Sequence, residues 1–265
     1  MIVAMGRTAL LALGVAALTA CGRVGFGAHA GDATDGSSGC TVPSGLAAGL
    51  VGWWKFDEPS GTIAIDSAAG NDGLMLGGAS RVAGHLGGAV AFDGATGRID
   101  IGGTVAYATH AAPFSFSAWV NLAGWSMRTP DIMQLRTDNA SSPFHVLLSN
   151  DANWDGVSTG DGDGSWIPLR TNIEPSTGAW HHVAVVYSGA GPVALASFQF
   201  YLDAVPQPVT PASPYATQTN QSRIGAAEVV AGTGNFWSGS IDDVRIYDRA
   251  LSSAEVGQLY ALTCD

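Results

Sequence analysis

The 265-residue sequence predicts an all-β fold, two stacked antiparallel sheets finishing in one short helix. Three observations predict it. Only 12% of residues are charged and 36 are glycine, a composition suited to short strands joined by many turns. Apolar residues recur at every second position in short segments separated by Gly, Asp and Asn. The stretch 236–262 then passes from period-two alternation into a capped helical pattern. There is no internal repeat and no second helical block, so a single domain is expected over 43–265.

In chain order, 51–56 opens the body and 62–66 follows a Pro-Ser-Gly turn. Asn71-Asp72-Gly73 marks a turn before Leu74-Met75-Leu76. Segments 89–92 and 98–101 are expected to pair as a hairpin across Asp93-Gly94-Ala95-Thr96-Gly97. Alternation is clean in Phe114, Phe116 and Ala118, in Trp180, His182, Ala184 and Val186, and in Phe198, Phe200 and Leu202. In the strand around 241–247, Asp242 shares parity with Val244 and Ile246, so it is expected to face their way. Ser252 with Glu255 three residues on forms a capping box. Val256, Leu259 and Tyr260 form an apolar stripe that should pack the helix on the sheet edge.

The first twenty residues read as a targeting segment. Arg7 gives a positive start, 8–17 is a short apolar run, and Leu18-Thr19-Ala20-Cys21 closes it. The run is short for a bilayer span, so cleavage is expected. The tetrapeptide resembles a bacterial lipobox, which implies lipid on Cys21; an ordinary signal peptide with an incidental cysteine is the alternative. Gly22, where lipoproteins kept at the inner membrane carry Asp, implies the outer membrane. Residues 21–42 are mostly Gly, Ala, Ser, Asp and Thr, too poor in large side chains to fold, and read as a flexible tether.

The net charge of −11 argues against a nucleic-acid partner, because phosphate binding needs a basic face. It suits cation binding and an extracellular setting, and equally plain solubility.

Four segments carry a more specific resemblance: GLVGWWKFDEPSG (49–61), GAWHHVAVVYSG (178–189), FQFYLDAVPQP (198–208) and FWSGSIDDVRIYDRALSSAEVGQLYAL (236–262). Together they resemble the laminin-G-like, concanavalin A-like jelly rolls of bacterial envelope and secreted proteins, over about 48–262. In such sandwiches the first and last strands are neighbours. A Cys40–Cys264 disulfide is then plausible in an oxidising compartment and would stabilise by about 5 kcal/mol in the chain-entropy model. Free thiols or a metal pair are the alternatives. In related β-glucanases the aspartate matching Asp242 resembles a calcium ligand. That implies a structural Ca2+ site at Asp242 and Asp57, with Asp66 and carbonyls near Asn71 as further donors. The alternative is an Asp242 paired with Arg245 or with backbone amides.

Most catalytic patterns fail. Gly156-Val157-Ser158-Thr159-Gly160 has the nucleophile-elbow spacing, but it reads as part of a Gly/Asp loop without the required strand-turn-helix. Glucanases of this fold resemble one another in two Glu around an Asp on one strand. The four glutamates here, at 58, 174, 228 and 255, are not so arranged. Adjacent His181 and His182 point to opposite faces of a strand and cannot converge on one ion. Of eight tryptophans, Trp53, Trp54, Trp119, Trp180 and Trp237 read as core. Trp125, Trp154 and Trp166 fall in loops near Asp151 and Asp163, an aromatic-and-acid combination that would hold a sugar; covering a sheet edge is the plainer alternative. The expectation is a lipid-anchored, non-catalytic envelope protein binding a carbohydrate or glycoconjugate. A protein-interaction module meeting an envelope protein is the second reading, and a glycan-degrading enzyme the third.

Overall fold

A computed structural model describes residues 43–102, 112–125, 129–136, 144–150, 156–160, 169–171, 174–189, 197–211, 222–229 and 232–263. A short 3-10 helix, Ser44–Ala47, precedes the strands. These are β1 Leu50–Trp54, β2 Ile63–Ala64, β3 Gly73–Leu76, β4 Ser80–Ala83, β5 Gly88–Asp93, β6 Arg98–Ile101 and β7 Phe114–Leu122. There follow β8 Asp131–Leu135, β9 Phe144–Ser149, β10 Gly156–Gly160, β11 Leu169–Arg170, β12 Trp180–Tyr187 and β13 Phe198–Leu202. The chain continues through β14 Val205–Gln207, β15 Thr210–Pro211, β16 Ser222–Ile224, β17 Ala227–Val229, β18 Gly232–Gly234 and β19 Ser238–Tyr247, and ends in α1 Ser253–Tyr260.

The first sheet runs β14-β13-β12-β7-β19-β5-β4, and the second β15-β11-β10-β9-β8-β16-β6-β3-β2, while β17 and β18 form a separate hairpin. β19 is central rather than terminal. One side pairs with β7, and the other pairs first with β5 and then with β1. The first and last strands are therefore neighbours, as the resemblance implies. Arg249 fastens the two ends of the domain, donating to Ala48 O at 2.7 Å, Gly45 O at 3.1 Å and Glu255 Oε1 at 2.7 Å.

The expected hairpin across Asp93–Gly97 does not form. β5 pairs with β4 and β19 in the first sheet, whereas β6 pairs with β3 and β16 in the second. The intervening turn carries the chain between sheets and is folded around one carboxylate. Asp93 accepts from the amides of Ala95, Thr96 and Gly97 at 3.0, 2.8 and 2.7 Å, and from Thr96 Oγ1 at 2.7 Å. Those bonds, that of Thr96 N foremost, hold its carboxyl well below the usual carboxylate range.

Alternation sorts the first sheet into two layers. Phe114, Phe116, Ala118, Val120 and Leu122 of β7, with Val183 and Val185 of β12, point to the second sheet and join the main core. Trp119, Ala184, Val186, Tyr201 and Tyr247 point outward and are covered by Leu86, Leu251 and the helical Val256 and Leu259. The helix thus lies across the outer face of the first sheet, not on its edge. Its capping box is present, with Glu255 N donating to Ser252 Oγ and Ser252 N to Glu255 Oε2. Gly156–Gly160 proves to be a strand paired with β9 and β11, which excludes the strained elbow that its spacing mimics.

Candidate site at the last strand

β19 is interrupted once. Its register against β7 shifts between Asp242 and Arg245, and Asp243 takes the left-handed conformation, φ 48°. The shift reverses parity. Ile241, Val244 and Ile246 all reach the inner core, so Asp242 does not face their way, contrary to simple counting. It looks outward, towards the loop joining β4 to β5.

That loop is Gly84-His85-Leu86-Gly87, closed by Gly84 N donating to Gly87 O at 2.8 Å. Asp242 Oδ2 accepts from His85 N and Leu86 N, each at 2.8 Å. Asp57, just past β1, accepts from Gly88 N at 2.7 Å. Two acids 185 residues apart in sequence (242 − 57) therefore grip one turn. The turn has no room for side chains where they grip it. A Cβ at Gly84 would stand 2.6 Å from Asp242 Oδ2, and one at Gly87, φ 82°, would stand 2.4 Å from Asp57 Oδ1.

Charge has accumulated here. Burial pushes the Asp242 carboxyl up to about 8, against the pull of the two amides, and Asp243 and Asp57 push it further. Asp57 is raised too, by burial first and then by Asp243 and Glu58, against the Gly88 amide and Lys55. Asp242 Oδ1 is buried with no hydrogen-bond partner. Asp243 is better provided. Its Oδ1 accepts from Trp53 Nε1 at 2.7 Å and from Arg245 Nε and Nη2 at 3.1 and 3.0 Å. The Arg245 guanidinium lies 4.4 Å from the centroid of the Trp53 ring.

Asp242 Oδ1, an orphaned buried carboxylate oxygen, is an atom that a hard cation would satisfy, and Asp57 holds the neighbouring amide of the same turn. Among the described residues no group of three or more His, Cys, Asp or Glu is arranged for a metal, so main-chain carbonyls and water would complete the shell. Asp66 fits less well. Its Oδ1 accepts from Trp53 N and Ala68 N at 2.8 and 2.9 Å, and its Oδ2 from Asn71 N and Nδ2 at 3.0 and 3.3 Å, which accounts for the carboxylate as a turn former.

The remaining sequence candidates separate. His181 bridges Asp203 and Ser176, each at 2.8 Å, while His182 is buried beneath the outer layer. Trp125 is half-buried and packs against the inner core. Trp154, Trp166, Asp151 and Asp163, together with Cys21, Cys40 and Cys264, lie outside the described residues.

One buried polar group escaped the sequence reading. On the outer face of the second sheet, His145 Nδ1 donates to Asp131 Oδ1 at 2.7 Å, which leaves Nε2 to accept from Gln134 at 3.1 Å. Asn235 donates to Asp131 Oδ2 at 2.8 Å. The register extends this row through Arg223 to Asp100, themselves ion-paired at 2.9 Å. The signal was available: His145 alternates with Phe144 and Val146, and Gln134 with Met133 and Leu135, so both sit opposite the core.

Comparison with known proteins agrees with this architecture. Residues 93–257 match the family profile described as the concanavalin A-like lectin/glucanases superfamily. Domain 4 of AbnA, a GH43 extracellular arabinanase from Geobacillus stearothermophilus solved in complex with arabinotriose, superposes with a TM-score of 0.57 at 22% identity, covering 80% of this chain and 98% of that one. Trypanosoma rangeli sialidase in complex with sialic acid gives 0.56 at 18%, covering 84% of this chain and 34% of that one, so the chain spans about a third of that enzyme. The binding domain of Paraclostridial Mosquitocidal Protein 1 gives 0.58 at 14%, covering 81% and 52%. No match is found among curated protein sequences. With a profile matched over more than half its length and two jelly-roll sheets in place, the chain belongs to the concanavalin A-like lectin/glucanase superfamily.

Proposed function

We propose that this is a non-catalytic carbohydrate-binding domain, held at the cell envelope by lipid on Cys21 and a flexible tether, with calcium as a structural ion at Asp57 and Asp242. Superfamily membership and the neighbour solved in complex with arabinotriose support the ligand class. One observation favours binding over hydrolysis: the acids around β19 are committed to scaffolding. Asp242 is fully buried, Asp57 and Asp66 hold main-chain amides, and Glu58 and Glu255 are paired with Arg81 and Arg249. A glycosidase needs two carboxyls that reach the scissile bond from either side.

Calcium would supply positive charge beside Asp242 Oδ1 and clamp the β4–β5 loop between first and last strands. A glycan array probed with the full-length chain, with and without chelator, tests both parts. Binding to defined glycans supports the ligand class, and a melting temperature that rises with added calcium supports the ion. Reducing sugar released from a polysaccharide, and lost in a single aspartate variant, would overturn the non-catalytic reading. An array with no bound glycan would overturn the ligand class.

A further inference from the structure

The β4–β5 loop does more than hold two acids. It lays a ring on the outer surface. His85 stacks on Trp119 with centroids 3.6 Å apart at 29°, and Trp180 stands 6.2 Å from His85. Tyr260 of the helix stacks on Trp119 at 5.5 Å and 23°. His182 completes the set, 5.3 Å from Trp119 and 6.2 Å from Tyr260. Four separate elements, the loop, β7, β12 and α1, thus deliver aromatic rings to one place.

Depth divides the cluster. Trp119 and His182 are 3% and 2% exposed and form a floor. His85 is exposed, Trp180 half-buried and Tyr260 41% exposed, so these three meet solvent above it. Covering the sheet does not require this. A few residues away the same outer face is closed by Leu251, Val256 and Leu259, which bury completely or nearly so. The floor is also left polar: neither Trp119 Nε1 nor His182 Nδ1 has a hydrogen-bond partner.

Flat rings with polar rims suit one ligand chemistry well. The C–H face of a sugar ring lies against an aromatic plane, while hydroxyls around its edge bond to the imidazole, indole N–H and phenol at the rim. Among the described residues no Lys or Arg belongs to the ring set, and the chain carries a net charge of −11, so the platform favours an uncharged sugar over a carboxylated or sulfated one. We propose that His85, Trp180 and Tyr260, laid over Trp119, form a docking platform for a neutral saccharide. The proposal rests on the carbohydrate-binding reading and assigns it to the outer face of the first sheet.

The test is a tryptophan-fluorescence and calorimetric titration of the full-length chain with arabinotriose, xylotriose and cellotriose, and with trigalacturonate as the anionic counterpart. At least one neutral probe is expected to change the fluorescence and to bind more tightly than trigalacturonate. Trp180→Ala and Tyr260→Ala should each weaken that binding at least tenfold in chains that still unfold cooperatively well above the titration temperature, and Tyr260→Phe, which keeps the ring, should recover most of it. Neutral probes binding both alanine variants as tightly as the parent chain would overturn the platform while leaving the carbohydrate-binding reading intact. Tighter binding of trigalacturonate would overturn the neutral specificity. Binding of none of the four probes would overturn the platform, and only an array empty of bound glycans would remove the broader reading as well.

Discussion

The two faces of the first sheet are built on different rules. Its inner face meets the second sheet through Phe116, Ala118, Val120, Val183, Val185, Val244 and Ile246, an apolar layer. Its outer face buries Asp242, Asp243, Arg245 and His182 beside Trp119 and Tyr247. Inner-face packing is non-directional and tolerates exchange of one apolar residue for another. On the outer face each buried polar group depends on a particular partner, and losing that partner leaves a charge or a donor stranded. Specificity of structure is therefore concentrated outside the main core, under a loop and a short helix.

The largest effect should come from breaking the charge pair on the outer face. Asp243→Ala would leave Arg245, whose side chain is 0% exposed, without its carboxylate, and would put alanine in the left-handed conformation at φ 48°. A loss of about 3–5 kcal/mol is expected in urea denaturation. Asp243→Asn tolerates the backbone and should recover part of it. A loss below about 1 kcal/mol for Asp243→Ala would show that the outer layer can rearrange as freely as the inner one.

This contrast explains how much could be read from the sequence. The inner layer was legible because Phe114, Phe116 and Ala118 keep strict period two, and because strands 114–122, 180–187 and 198–202 form where alternation places them. The helix was legible from Ser252 and Glu255, whose bonding is local. The orientation of Asp242 was not, because parity counting fails across an unannounced extra residue, and nothing in IDDVRIY marks which position bulges. Nor could the Asp93 turn be told from a hairpin. Its short Gly-containing loop suits either, and only the pairing of β5 and β6 with different sheets decides. Asp57 and Asp242 were paired through the resemblance, while the glycines that seat the loop between them became meaningful only in three dimensions.

Acid should discriminate between the layers next. Burial holds the His182 imidazole neutral, lowering its pKa to about 4 from 6.5. The folded state then takes up this proton at lower pH than the unfolded state. The contribution is whole above pH 6.5 and is lost as pH falls towards 4, about 3 kcal/mol in all. Asp242, pushed up to about 8, acts in the opposite direction over this range, so the His182 contribution is read between pH 7 and 4 as the difference in slope between the parent chain and His182→Leu. An unchanged slope in that variant would move the acid sensitivity to another group. The inner layer supplies the control: Ile246→Val, at a fully buried position, should cost about 1 kcal/mol at every pH.

The smallest expected effect concerns what keeps the outer layer covered. Ser252 and Glu255 close the helix start, and Arg249 draws the Glu255 carboxyl down to about 2, with the Ser252 bonds adding to this against burial. The site is partly solvated, so its bonds are worth less than their number suggests. Ser252→Ala should cost about 1 kcal/mol globally. Its more telling effect is local. The helix packs Val256 and Leu259 in one cluster with Trp119 and sets Tyr260 against Trp119 and His182, so fraying its first turn should speed hydrogen exchange at His182 and Trp119 before it reaches Phe116 or Val185 on the same strands' inner-facing positions. Equal acceleration at all four amides would mean that the two faces open as one unit, and that the outer layer, despite its different chemistry, has no independent stability.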